Sequence, residues 1–316
     1  MAQRVARAAS KTAMMVCAQR ARASSRPSPV CSDPWAARLA GSAGEEMADR
    51  AGRNMELWIA CRTAWLDERV RRLVDEGRRQ VVMLGAGLDT RAARLGQGMS
   101  GVSWYEVDHP KSQEVKLERL SELASDGYPL KAAKYVGCDF EQDDFIEKLE
   151  SAGFDVKGKP SVFVWEGVTM WASQKPRHCP SENRAHAPLP RVQPELPSAR
   201  RYLTEPAVRS SVRRISEACH PSTVLLFDHV GSKMVRAESN LDEEGRVLHG
   251  LVREVGEPFR FGINDPLPFL VDAGFAHVRS TSFDEICLGL TGSYERERMF
   301  RFQHIVEASK GHRSRL

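Results

Sequence analysis

Two glycines one residue apart, Gly85 and Gly87, close the run Arg79-Gln80-Val81-Val82-Met83-Leu84 and open Leu88-Asp89-Thr90-Arg91. A short valine-rich run bounded by glycine and followed by a helical pattern predicts a buried parallel strand that turns tightly into a helix. Gly85 and Gly87 let the backbone approach a ligand closely, and the following helix offers N–H groups to it. The next strand-like run, Val102 to Asp108, ends in an acid about 20 residues on, where nucleotide-binding α/β folds place the carboxylate that accepts the ribose hydroxyls. Two later runs also end in acids: Ala133 to Phe140, carrying Asp139, and Ser161 to Gly167, carrying Glu166. Each of these residues has a plainer use. The glycines serve any tight turn, Asp108 and Asp139 can cap helices, and Glu166 can end a strand buried and hydrogen-bonded. Jointly, acids at successive strand ends favour a nucleotide-like ligand.

These residues require a frame that alternates strands and helices. From Met55 to Gly77, Leu57, Trp58, Cys61, Trp65, Val70 and Val74 recur at helical spacing, and Gly77 suits a C-cap. Ala13 to Arg22 reads as a further helix. Pro110 fits the first turn of a helix over 111–125, and a helical stretch covers 205–218 before the strand-like run Thr223 to His229. Five strands alternating with helices specify a doubly wound α/β sheet with its ligand along the carboxyl edge. Near the C-terminus, 268–274 reads as a short helix, and 277–283 and 299–305 as two strands placed to pair antiparallel.

Composition narrows the classes. Hydrophobic residues make up 41% and charged residues 28% of 316, ordinary values for a globular chain long enough for one large core. A net charge of +4 gives nucleic-acid binding little support, and no apolar run is long enough to cross a bilayer. Cys17, Cys31, Cys61, Cys138, Cys179, Cys219 and Cys287 are odd in number and lack a C-x-x-C pair, which points to reduced thiols, a cytoplasmic compartment and no metal site. Six basic residues precede the first acid, Asp33, so organelle targeting is the competing reading of the start. His109, His220 and His229 read as ordinary polar residues. Glu106, on the face opposite its neighbours, reads as structural.

The string Leu84-Gly85-Ala86-Gly87-Leu88-Asp89-Thr90-Arg91 resembles the glycine motif of S-adenosylmethionine-dependent methyltransferases related to leucine carboxyl methyltransferase, in particular the candidate O-methyltransferases common in mycobacteria. The resemblance continues through Tyr105-Glu106-Val107-Asp108-His109-Pro110, Cys138-Asp139-Phe140-Glu141, Trp165-Glu166-Gly167-Val168-Thr169-Met170 and Gly274-Phe275, and reaches back to Arg20-Ala21 and Asp33-Pro34-Trp35. It implies a Rossmann-like class I methyltransferase: a mostly parallel seven-stranded sheet with an antiparallel C-terminal strand, and S-adenosyl-L-methionine as cofactor. It also implies the ligands. Asp108 takes the ribose, Asp139 the adenine amino group with Phe140 beside it, and Gly85 and Gly87 underlie the methionine half. Arg62 pairs with the cofactor's carboxylate, with Arg20 as a possible assistant, and Glu166 lines the pocket near the sulfonium. Arg62 as a solvated helix residue is the plain alternative.

One stretch departs from the resemblance. Residues 171–201 separate Gly167-Val168-Thr169-Met170 from Tyr202-Leu203-Thr204-Glu205, which are continuous in relatives, and hold six of the chain's 17 prolines. The segment is read as a proline-rich, disordered insertion or as an intron retained in the gene model, and sequencing the transcript decides between them. The domains are therefore a helical cap over 1–54 and a methyltransferase domain over 55–170 and 202–316. The expected reaction is methyl transfer to an oxygen, carboxylate or hydroxyl, of a small molecule or a peptide carboxylate, with no nucleic-acid or membrane partner. No catalytic base is assigned, since a carboxylate acceptor needs none. Two rivals stand beside it: a nicotinamide-dependent oxidoreductase, although Thr90 occupies the third glycine of G-x-G-x-x-G, and an inactive methyltransferase-like scaffold.

Overall fold

The computed structural model describes residues 10–167, 203–232, 243–254, 262–293 and 303–311. The expected insertion at 171–201 lies outside them. Two helices come first, α1 (Lys11–Ser24) and α2 (Ala36–Asp75). Ser10 caps α1 by accepting from Ala13 N at 3.2 Å. The periodic pattern from Met55 marks only the second half of α2, which starts 19 residues earlier, at Ala36, and turns at Gly41 and Gly52, both with positive φ. Those two glycines interrupt the helical period, so the sequence pattern alone reveals only the regular half.

The sheet follows: β1 (Gln80–Leu84), α3 (Arg91–Gly96), β2 (Ser103–Asp108), α4 (Pro110–Leu123), β3 (Lys134–Gly137), α5 (Phe145–Ser151) and β4 (Ser161–Trp165). Beyond residue 202 come α6 (Glu205–Ala218), β5 (Val224–Val230), α7 (Glu243–Glu254), α8 (Pro266–Asp272), β6 (His277–Ser282), α9 (Phe283–Thr291) and β7 (Gln303–Ser309). The strand order is β3-β2-β1-β4-β5-β7-β6. Neighbours are parallel except β7, which runs antiparallel to both β5 and β6. The fold is thus doubly wound α/β with one antiparallel strand at the C-terminus. The sequence places 277–283 and 299–305 as adjacent strands; in the structure α9 intervenes, and 299–302 lie outside the described residues.

Side chains alternate across the sheet. Val81, Met83, Val162, Val164, Val224 and Leu226 join one core with α2 and α9, while Val82, Leu84, Phe163, Trp165, Leu225 and Phe227 join another with α5, α6 and α8. Strands buried on both faces explain the continuous apolar runs of β1, β4 and β5. The order of strands reverses between β1 and β4, whose last residues Leu84 and Trp165 are register partners. A cleft at the carboxyl edge of that switch point is where doubly wound sheets bind ligands, and Gly85 and Glu166 follow those two residues directly.

Candidate functional site

Gly85 and Gly87 both have positive φ, 61° and 46°, a conformation that favours glycine. The turn they make is tied to β2: Gly85 N donates to Val107 O at 2.8 Å, and Gly87 N donates to the Asp108 carboxylate at 2.6 Å. The other carboxylate oxygen accepts from His109 N at 2.6 Å. Burial pushes the Asp108 carboxyl up, and the N–H groups of Gly87 and His109 pull it back. Asp108 is therefore fixed over the glycine turn with lone pairs to spare.

One of the N–H groups the next helix was expected to offer, that of Arg91, is already taken. Asp89 Oδ1 accepts from Arg91 N at 2.6 Å, so the carboxylate of the motif itself caps the six-residue α3. Arg91 is 1% exposed and sits among three acids: it pairs with Asp67 and Glu166, each at 2.7 Å, and with Asp89. Burial disfavours the Asp89 charge, yet Arg91 and Arg20 hold its carboxyl below the usual range.

Arg62 is 3% exposed, so it is not a solvated helix residue. It donates to Glu166 at 2.8 Å and to Asp228 of β5. Glu166 thus bridges Arg62 and Arg91, which outweigh its burial and keep it ionised below the ordinary carboxylate range. Asp228 also accepts from Gly167 N at 2.7 Å, and burial raises its carboxyl against the pull of Arg62. Arg20 reaches the site from α1, donating to Asp33 at 3.0 Å and to Leu88 O at 2.7 Å. Asp33 also accepts from Thr90 Oγ1 at 2.7 Å. Two buried donors, Arg62 Nε and Arg91 Nη2, have no hydrogen-bond partner among the described residues. Both belong to residues that flank Glu166. Unpaired donors cost more than they give when dry, so they mark where an anionic ligand group would be held.

Asp139 follows β3, partly exposed, accepting from Glu141 N and Gln142 Nε2, both at 3.1 Å. Phe140 stacks on Trp165 at 6.2 Å between ring centroids and touches Phe145. The structure therefore brings Gly85, Gly87, Asp108, Asp139, Phe140, Arg62 and Glu166 to one sheet edge. Arg91 and Asp228 are functional candidates that the sequence reading left out. Arg91 stands inside the glycine motif, so the signal was present; Asp228 is the acid near the end of the fifth strand-like run, one residue before His229.

Glu106 and Lys116, 1% and 2% exposed, form a buried pair beneath the turn, where Lys116 also donates to Asp89 O at 2.6 Å. Burial lifts the Glu106 carboxyl from 4.5 to about 7, only partly offset by Lys116. A carboxyl raised on folding binds its proton better in the native state, so its stabilising contribution is full below about 4.5 and is lost as pH rises toward 7. Glu106→Gln is expected to flatten the decline of thermal stability across that window; melting curves at stepped pH measure it, and an unchanged slope refutes the assignment.

The sequence profile of the leucine carboxyl methyltransferase family matches residues 13–176. The chain belongs to that family. A candidate S-adenosyl-L-methionine-dependent methyltransferase of Mycobacterium ulcerans is 29% identical over 290 residues, 87% of this chain and 85% of the relative. Another, from Mycobacterium sp. strain KMS, is 33% identical over 176 residues, 51% of this chain and 57% of the relative, so that match spans little more than half of it. Among solved structures, an O-methyltransferase candidate from Nostoc punctiforme superposes with TM-score 0.45 at 10% identity, covering 81% of this chain and 60% of that one. Magnesium protoporphyrin IX methyltransferase from Synechocystis with bound S-adenosylhomocysteine gives 0.44 at 14% identity, over 85% and 95%. No helix among the described residues is long and apolar enough to cross a membrane.

Proposed function

We propose that this chain is an S-adenosyl-L-methionine-dependent methyltransferase that acts on an oxygen of a small molecule or peptide. The observation that carries the reading is the grip of Asp108 on Gly87 N at the switch point of a leucine carboxyl methyltransferase family fold. The residues present fit the cofactor. Asp108 would hold the ribose, Asp139 and Phe140 the adenine, and the unpaired donors of Arg62 and Arg91 would suit the carboxylate of the methionine part. Glu166, ionised between the two arginines, offers a counter-charge to a cationic ligand.

When bound, the cofactor supplies a methyl group already activated on a sulfonium. The chain's own contribution would be positioning: the glycine turn, Asp108 and the arginine cluster would hold the donor in one orientation relative to an acceptor oxygen. The direct test is calorimetric titration of the full-length protein with S-adenosylhomocysteine, with a dinucleotide, NAD, as the second ligand. Micromolar binding of S-adenosylhomocysteine and none of NAD is expected; the reverse preference overturns the reading in favour of a nicotinamide enzyme.

A further inference from the structure

The glycine turn is held from α4 as well as from β2. Lys116 of α4 is 2% exposed, and its ammonium donates to Asp89 O at 2.6 Å and pairs with the Glu106 carboxylate of β2. Asp89 N in turn donates to Ala86 O at 2.8 Å, and the Asp89 carboxylate caps α3. The carbonyl that Lys116 grips is thus where the turn passes into its helix. One turn earlier on α4, Gln113 Nε2 donates to Glu106 O at 3.1 Å, which fixes the helix against β2 at a second point. Glu106 is 1% exposed, with Met83 of β1 and Tyr135 of β3 as its register partners, and the Tyr128 and Tyr135 hydroxyls face one another beside it. Its second oxygen, Oε1, has no hydrogen-bond partner among the described residues.

The titratable groups around this pair come from every element packed on it: Asp89 after β1, Asp108 on β2 itself, Tyr128 after α4, Tyr135 on β3, and Cys17 of α1, which faces Lys116. Burial keeps both phenols and the Cys17 thiol protonated near neutrality, and Arg91 and Arg20 outweigh burial at Asp89 and keep it ionised. Glu106 differs, because burial carries its carboxyl up to about 7 against the pull of Lys116. With Glu106 ionised, Coulomb attraction in a water-free surrounding anchors the ammonium, and its remaining donors fix the Asp89 carbonyl. With Glu106 protonated that attraction is gone, and the buried charge of Lys116 stands less well balanced beneath the turn.

We propose that Lys116 is a positioning residue for the cofactor, acting through the Asp89 carbonyl, and that Glu106 governs it by its charge, the cofactor binding better when the pair is ionised. The proposal rests on the methyltransferase reading and deepens it. By linkage, binding then favours release of the Glu106 proton, so affinity rises with pH through neutrality. Fold stability moves the other way, because the buried carboxyl holds its proton better in the native state than in the unfolded chain. The opposite slopes separate positioning from a structural role: a pair that only held the fold together would let affinity follow stability.

The test titrates S-adenosylhomocysteine into the full-length protein at steps from about pH 6 to about pH 8, beside melting curves at the same steps. In the parent, affinity is expected to rise about fivefold across the range. Glu106→Gln, which cannot ionise, should bind with a flat profile near the parent's low-pH value. Adding Lys116→Met to Glu106→Gln removes the donor to Asp89 O without stranding a charged partner at 106, and should weaken binding by a further factor of about ten with the melting temperature nearly kept. Both variants retain His109 beside Asp108, so a slope that survives in Glu106→Gln belongs to another group and overturns the proposal. A parent profile that is flat or falls with pH, or a double variant that binds like Glu106→Gln, overturns it as well and leaves the cofactor reading intact. If the double variant does not fold, the slopes of the parent and Glu106→Gln decide alone. Failure of the parent to bind S-adenosylhomocysteine at any pH overturns both.

Discussion

Asp108→Ala is expected to weaken S-adenosylhomocysteine binding by about 100-fold, while the protein stays folded. Two effects add. The carboxylate is the sole side chain holding Gly87 N, at 2.6 Å, so its loss frees the turn whose positive-φ glycines shape the cradle. In the proposed site it would also remove the acceptor for the ribose hydroxyls, and hydrogen bonds to a charged group contribute roughly 1.5–3 kcal/mol each, of which tenfold in affinity is about 1.4. Asp108 is only partly buried, and its loss leaves two backbone N–H groups that water can reach, so the fold should lose much less than the site. Asp108→Asn is the sharper variant. One amide oxygen can still serve one N–H, but the amide nitrogen confronts the other donor, so binding should remain closer to alanine than to aspartate. Calorimetry with each variant, beside a melting curve, measures the difference. Affinity within threefold of the parent in Asp108→Ala would remove Asp108 from the site.

The parts of this site that were legible in the sequence share one property: they follow from local pattern. β1, β4 and β5 are buried on both faces, so they stand out as apolar runs, and the acid or glycine that ends each run marks the carboxyl edge. α6 was legible over 205–218 because its apolar residues keep the helical period. α9 was not, since nine residues give only about two and a half turns and Gly289 weakens the period, although the Ser282 and Glu285 capping box was a usable start signal. The charge network was illegible for a different reason. Arg62 and Asp228 meet across 166 positions, and nothing local says which of 42 acids a given arginine faces. The family resemblance named Arg62 and Glu166 as separate ligands; only the fold shows that they neutralise one another, with Arg91 on the other side of the same carboxylate. The same holds for His229, which reads as an ordinary polar residue until alternation along β5 places it against Phe227 and His304.

The second large effect concerns that network. Arg91→Met keeps the length of the side chain and removes the charge that serves Asp67, Asp89 and Glu166. Breaking a buried ion pair from one side leaves an uncompensated charge and costs about 3–5 kcal/mol. At roughly 2–4 °C per kcal/mol for a large domain, the melting temperature should fall by on the order of 10 °C. The pH profile should flatten as well. In the parent, Asp33, Asp89 and Glu166 have carboxyls held below their unfolded values, so the stability they contribute is present above about pH 4.5 and is lost as pH falls through the lowered native values. Without Arg91 the strongest cation beside Asp89 is gone and burial raises its carboxyl, while Glu166 keeps Arg62, so the variant should lose less stability than the parent as pH falls. Adding Glu166→Gln to Arg91→Met removes one stranded carboxylate and should recover part of the loss, a coupling that a double-mutant cycle reads directly. Additive single effects would mean that Glu166 and Arg91 do not act on one another, and the arginine-flanked carboxylate would then be no basis for a site that receives a cation.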